Sequence, residues 1–248
     1  MPGRRWLIPD SDPRAEALCS ALSMTAPAAR VLCHRGLWDP EAARRFLQPS
    51  LADLNDPFAL RDMDRAADRL RAAVRAGEKI LLYGDYDVDG TSSVVLLIKA
   101  IELAGGKADF HVPHRLKDGY GMRAEVVERA AAEGVRLIVS VDTGIRAAEV
   151  VRRANELGID VIVTDHHLPE EELPPALAVL NPNRPDCGYP EKDLCGAAVA
   201  FKLAQALLSG MGWPAEKLRR VSESLLKLVA IATVADVVPL TGENRVMV

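Results

Sequence analysis

The stretch Leu81-Leu82-Tyr83-Gly84-Asp85-Tyr86-Asp87-Val88-Asp89-Gly90 delivers three carboxylates at alternate positions into a glycine-ended turn. Three acids within five residues repel one another unless a cation sits among them. Side chains of the same kind recur at three later places: Asp142 in Val141-Asp142-Thr143-Gly144, the run Asp165-His166-His167, and Asp236 in Ala235-Asp236-Val237-Val238. A carboxylate in so apolar a setting as that of Asp236 needs a partner or a metal. Adjacent histidines at a strand end point in different directions, so one can ligate a metal while the other faces a substrate oxyanion. The donor set is oxygen-rich with one or two imidazoles, which suits manganese or magnesium better than a thiolate-loving metal. There are enough carboxylates to bridge two ions, and an ion pair about 3.5–4 Å apart is the arrangement used for in-line phosphoryl displacement.

Other readings of these residues fare less well. An EF-hand loop beginning at Asp85 would need its bidentate ligand at Leu96, which cannot ligate, and its upstream element reads as a strand. A merely solvated acidic turn does not require so apolar a strand before it. Asp142 taken alone is equally a helix N-cap. Neither Gly-x-x-x-x-Gly-Lys nor Gly-x-Gly-x-x-Gly occurs, and no nucleophile elbow is apparent. Arg115, Lys117, Arg123 and Arg146 fall on loops or helix starts near the same acids and are candidates for phosphate contacts. His111-x-x-His114, followed by Arg115 and Lys117, reads either as a basic loop or as part of the site.

The elements that must position these groups follow a βα rhythm. Apolar runs predict strands at Lys79–Asp85, Lys107–Val112, Arg136–Asp142 and Asp160–Thr164, with Leu177–Leu180 as a shorter candidate. Helices are expected at Thr91–Ala104, Arg123–Ala132 and Arg146–Leu157, closed by Gly105, Gly134 and Gly158. The expected fold is α/β, an open, mainly parallel sheet with helices on both faces. Three of the strands end in metal-type side chains, and parallel sheets bind ligands at the carboxyl ends of their strands. After a Pro/Asn/Gly loop from Asn181 to Asp193, two helices are expected at Gly196–Leu208 and Pro214–Val234. Residues 1–78 read as a small helical N-terminal region, with Asp-Pro starts at Asp12 and Asp39 and an amphipathic segment from Asp62 to Ala76; residues 79–248 form the main domain.

Composition narrows the class. A hydrophobic content of 49% with 27% charged residues is that of a globular protein with a core, and 4% aromatics makes that core aliphatic. A net charge of −4 argues against nucleic-acid binding through bulk positive charge. Two bound dications would cancel it. No run approaches the roughly 18 apolar residues of a membrane span. The basic start, Met1–Trp6, lacks a following apolar region, so no signal peptide is expected. Cys19, Cys33, Cys187 and Cys195 have no zinc-type spacing and read as free thiols of a reducing cytoplasm.

Taken together, Asp85-x-Asp87-x-Asp89-Gly90, Val-Asp142-Thr-Gly, Asp165-His166-His167 and Val-Ala-Asp236 are similar in order and spacing to the four motifs of the DHH phosphoesterase superfamily. Phrases outside them, such as Phe46-Leu47-Gln48-Pro49-Ser50 and Leu194-Cys195-Gly196-Ala197-Ala198, resemble the RecJ-like family of single-stranded-DNA-specific exonucleases. The resemblance implies a manganese- or magnesium-dependent 5′→3′ exonuclease of DNA repair and recombination that releases 5′-mononucleotides. It implies Asp87, Asp89, Asp142, His166 and Asp236 as metal ligands, His167 at the scissile phosphate, and Asp85 and Asp165 as orienters behind them. Many superfamily members carry histidine where this chain has Tyr83. RecJ-like enzymes continue into a DHH-associated domain and an OB-fold, which are expected to be absent here; a single-strand-binding protein or helicase would engage through such regions. The alternatives are a superfamily member acting on oligoribonucleotides, cyclic dinucleotides or pyrophosphate, and a non-catalytic binding module.

Overall fold

The computed structural model describes residue 10 and residues 12–248, so the basic start Met1–Trp6 lies outside the described residues. The chain forms two compact units, Met1–Leu54 and Asn55–Val248. In the first, α1 (Arg14–Leu22), α2 (Ala26–His34) and α3 (Pro40–Leu47) enclose a small core of Leu18, Ala29, Leu32, Cys33 and Ala43. Helix α3 starts as its sequence predicts, with the Asp39 carboxylate accepting the Ala42 N–H at 2.8 Å and Pro40 at the first position. Helix α2 has no side-chain cap, only a proline in its first turn, so its start is weakly marked in the sequence.

The second unit begins with α4 (Met63–Ala76), whose apolar face of Met63, Ala66, Ala67, Leu70 and Ala73 is buried. Expected as part of the N-terminal region, it makes its contacts with the sheet and with a later helix of the second unit. Strand β1 (Lys79–Tyr83), α5 (Val88–Leu103), β2 (Ala108–His111), α6 (Ala124–Ala132), β3 (Val135–Val141), α7 (Ala148–Glu156), β4 (Asp160–Thr164) and β5 (Ala178–Leu180) follow in turn. All five strands are parallel, in the order β2-β1-β3-β4-β5. Helices α8 (Gly196–Ser209), α9 (Ala215–Ala235) and the short α10 (Gly242–Met247) complete the unit.

The strands are Val/Ile/Leu-rich because both faces of the sheet are covered. Helices α6 and α7 bury Val126, Val127, Val151 and Ala154 against Ile138, Val161 and Val163. Helices α4, α5 and α8 cover the other face. From β1 the chain moves outward to β2, then crosses back to β3 on the other side. The crevice between the carboxyl ends of β1 and β3 is therefore the topological switch point, where open parallel sheets bind ligands.

The strands lie where the sequence puts them, with no end shifted by more than two residues and β4 matching at both ends. The larger correction is at α5, which begins at Val88 and not at Thr91. The Asp87 carboxylate caps it by accepting the Gly90 N–H at 2.9 Å, so Asp89 and Gly90 belong to the first helical turn. Gly90 serves close approach: a Cβ there would lie 2.6 Å from the Asp85 carbonyl oxygen and 2.7 Å from its Cα. Among the described residues, no helix is long and apolar enough to cross a membrane.

Candidate metal centre

Asp85 and Asp87 leave β1, Asp89 lies in the first turn of α5, Asp142 follows β3, and Asp165-His166-His167 follow β4. Asp236 arrives from another direction, at the C-cap of α9. His166 Nε2 lies 3.3 Å from Asp142 Oδ1, 3.7 Å from Asp89 Oδ2 and 3.8 Å from Asp236 Oδ2. Three overlapping groups each bring ligand atoms within 4.8 Å of one another: Asp85, Asp87 and Asp142; Asp142, His166 and His167; Asp89, His166 and Asp236. Asp85, expected as an orienter, thus stands among the ligand-type groups.

Each acid is held by the local backbone. Asp142 adopts a left-handed conformation (φ 58°), which aspartate tolerates better than most residues, and its N–H is fixed to Thr164 O at 2.9 Å. Asp165 is fully buried. Its Oδ1 accepts the N–H groups of His166 and His167 at 2.8 and 3.1 Å and contacts His167 Nδ1 at 2.7 Å, while Oδ2 accepts Ile145 N–H at 2.9 Å. The amides of Asn181 and Asn183 donate to the carbonyl oxygens of His167 and His166 at 2.9 and 2.6 Å.

The most telling contact involves no side-chain donor. Asp89 Oδ2 and Oδ1 accept the N–H groups of Gly196 and Ala197, the N-terminus of α8, at 2.6 and 2.7 Å. A Cβ on Gly196 would lie 2.6 Å from Asp142 Oδ1, so the helix start is wedged between the two acids. Its free N–H groups and dipole offset part of their charge.

That offset is incomplete. Burial holds the Asp89 carboxyl above the ordinary range despite the Ala197 and Gly196 N–H groups. Burial, with the charges of Asp89, Asp87 and Asp165, pushes Asp142 up to about 10. Burial likewise raises Asp85 and Asp236. Asp165 goes the other way: burial alone would raise it, but the bond and charge of His167 and the backbone donors outweigh that. His167 is raised in return by its bond to Asp165. The buried Oδ1 atoms of Asp85 and Asp142 have no hydrogen-bond partner. Orphaned anionic oxygens in a cluster that resists ionisation are what a hard divalent cation satisfies, and the residues present fit one. Cys195 sits beside them, its thiol pushed up by burial and the Asp89 charge, and among the described residues it joins none of the three ligand-type groups.

The basic candidates are dispersed. The Arg115 guanidinium lies 5.1 Å over the Tyr86 ring, and Lys117 is exposed on the same loop. Arg123 pairs with Asp118 at 3.2 Å and Glu125 at 3.5 Å. Arg146 donates to Leu168 O at 3.1 and 3.2 Å and lines a cleft of about 690 Å³ with His167 and Tyr120. Tyr120 is not among the residues expected from the sequence; its hydroxyl is 3.3 Å from His167 Nδ1. Tyr83 does not reach into the acid cluster. Its hydroxyl accepts Arg123 N–H at 3.2 Å and donates to Gly121 O at 3.4 Å, pinning the segment that carries Tyr120.

A doubly wound α/β domain with a carboxylate–histidine centre at its switch point is the class that this geometry defines. Residues 79–233 match the DHH family, N-terminal domain, and the chain belongs to that family. It is 42% identical over 245 residues to the single-stranded-DNA-specific exonuclease RecJ of Bacillus subtilis (98% of this chain, 30% of the relative) and 46% identical over 194 residues to that of Escherichia coli (76% and 34%). Among solved structures, RecJ of Thermus thermophilus in complex with Mn2+ aligns with a TM-score of 0.76 at 34% identity, covering 94% of this chain and 32% of that one. Another, of exonuclease RecJ bound to manganese, aligns with a TM-score of 0.70 at 37% identity, covering 80% and 48%. The chain spans between 30% and 40% of the length of the first curated relatives.

Proposed function

We propose that this chain carries the catalytic centre of a metal-dependent exonuclease that hydrolyses single-stranded DNA from the 5′ end and releases 5′-mononucleotides. The observation that carries the reading is the convergence of Asp85, Asp87, Asp89, Asp142, His166 and Asp236 on one crevice that resists ionisation without a cation. The relatives' shared activity on single strands supports the choice of substrate. Repair and recombination form the proposed setting, the cytoplasm the compartment, and a single-strand-binding protein or helicase the partner.

The chemistry that a bound pair of Mn2+ or Mg2+ ions supplies is Lewis-acid polarisation of the phosphodiester and acidification of the attacking water. Asp87, Asp89, Asp142, His166 and Asp236 would hold the pair, with Asp85 beside them. The chain does the rest. Asp165, locked by four contacts, keeps His167 oriented and favours its protonated form. His167 is 39% exposed at the cleft, so its imidazolium can meet a phosphoryl oxygen where negative charge grows. Arg146 on the cleft wall, with Arg115, Lys117 and Arg123 on the neighbouring loop, would hold the flanking phosphates.

The test is digestion in Mn2+ of 5′-labelled single strands, duplexes and dinucleotides. Labelled mononucleotide should appear from long single strands, and Asp87→Ala or Asp142→Ala should abolish it while the fold persists. Cleavage confined to dinucleotides would point to a small-substrate phosphoesterase instead. Unchanged rates in both variants would remove the site assignment.

A further inference from the structure

Helix α10 has no part in the chemistry above, yet it carries a buried polar network. Glu243 is 3% exposed, and its carboxylate accepts Asn55 N–H at 2.8 Å, the Asn55 amide at 3.1 Å and the Tyr189 hydroxyl at 2.6 Å, and pairs with the fully buried Lys202 of α8. These contacts anchor α10 to the body of the second unit. The next residue, Asn244, is fully buried and does something narrower. Its Nδ2 donates to Asp193 O at 2.6 Å and to Pro239 O at 3.1 Å, and its Oδ1 has no hydrogen-bond partner. The polar function of the side chain is therefore those two donations.

The two carbonyls lie on the two approaches to the centre. Pro239 is three residues beyond Asp236, and the intervening Val237 holds a left-handed backbone (φ 60°) at an 84% exposed position. A β-branched residue does not adopt that conformation unless its surroundings impose it. Asp193 is three residues before Gly196, whose N–H, with that of Ala197, grips Asp89.

We propose that Asn244 is a positioning residue for the metal centre: by tying the chain that follows Asp236 to the chain that leads into the Gly196–Ala197 N–H pair, it sets the spacing between Asp236 and Asp89. It touches neither cation nor substrate. This rests on the reading of the crevice as a metal centre, and the experiment separates the two.

Mn2+ binding to the full chain is followed by the loss of the free-ion electron paramagnetic resonance signal, for the parent, Asn244→Ala and Arg69→Ala. Arg69 pairs with Glu78 and Asp160 at 2.6 Å each, where β1 and β4 begin, and its removal costs stability without touching the centre. Thermal melts of all three report the loss of stability. Asn244→Ala should bind Mn2+ roughly 10–100-fold more weakly, the range for residues that orient ligands, while Arg69→Ala binds as the parent does. Parent-like binding by Asn244→Ala overturns the proposal, and so does an equal loss of affinity in Arg69→Ala. Absence of Mn2+ binding by the parent itself removes the metal reading beneath it.

Discussion

Tyr83 and His111 end adjacent strands side by side, and their rings meet edge to face with centroids 4.9 Å apart. The pair is a support for the loop that follows and holds no charge. His111 Nε2 is buried without a hydrogen-bond partner, and burial, followed by the nearby Arg129 charge, holds the imidazole below its usual range. The folded protein thus binds this proton less readily than the unfolded chain does. Above the ordinary value of 6.5 both states are neutral; as pH falls through it, the unfolded chain takes up the proton first and stability is lost. Melting temperatures between pH 8 and pH 5 should fall more steeply for the parent than for His111→Gln, and parallel curves would show that His111 does not titrate in this way. At this scale the sequence was most informative about side chains. The eight acids and histidines that meet in the crevice announce themselves by type and by their place after apolar runs. Gly196 and Ala197 do not, because a backbone N–H has no side-chain signature; only the surrounding family-like phrase marked them.

Among the elements, α5 shows why local reading falls short. Asp-x-Asp-x-Asp-Gly has the composition of a turn, and glycine at its end reads as a stop. In the folded chain Asp87 caps the helix, and Gly90 is needed because β1 leaves so little room beside Asp85. Alanine at an ordinary helix position would stabilise by up to about 1 kcal/mol over glycine. At Gly90 its methyl group would meet backbone atoms of Asp85 at 2.6–2.7 Å. We expect Gly90→Ala to destabilise by about 1–3 kcal/mol, the usual cost of overpacking, read as a lower denaturant midpoint. A higher midpoint would show that β1 and α5 can separate freely. By contrast β4 was legible to the residue, because its apolar run is bounded by Gly158 and by Asp165. Helix α10 was not: six residues opened by Thr-Gly carry too little periodicity, and the network that anchors it comes from distant parts of the chain.

For the molecule as a whole, the unneutralised crevice is a store of unfavourable electrostatics, and the chain already carries a net charge of −4. Adding Mn2+ should therefore stabilise it. At 100 times the dissociation constant a ligand that binds only the folded state contributes about 2.7 kcal/mol, or roughly 5–10 °C in melting temperature for a chain of this size. Excess chelator should reverse the gain, whereas Asp142→Ala should abolish it. A melting temperature indifferent to both Mn2+ and chelator would mean that no ion enters the crevice. The open parallel sheet with helices on both faces was foreseeable from the βα rhythm, but the order of its strands was not. Nor was the division after Leu54: it falls between α3 and α4, two helices that read alike as parts of one N-terminal region.

The grip of α8 on Asp89 spans 107 residues of sequence. Synthesis at roughly 5–20 residues per second places several seconds or more between the two partners. A nascent chain that has completed β1, β3 and β4 already displays most of the acids, but Asp89 then has only His166 beside it, and lacks its two backbone donors until Gly196 and Ala197 have left the ribosome. The acid cluster is complete only once Gly196, Ala197 and Asp236 have all been made.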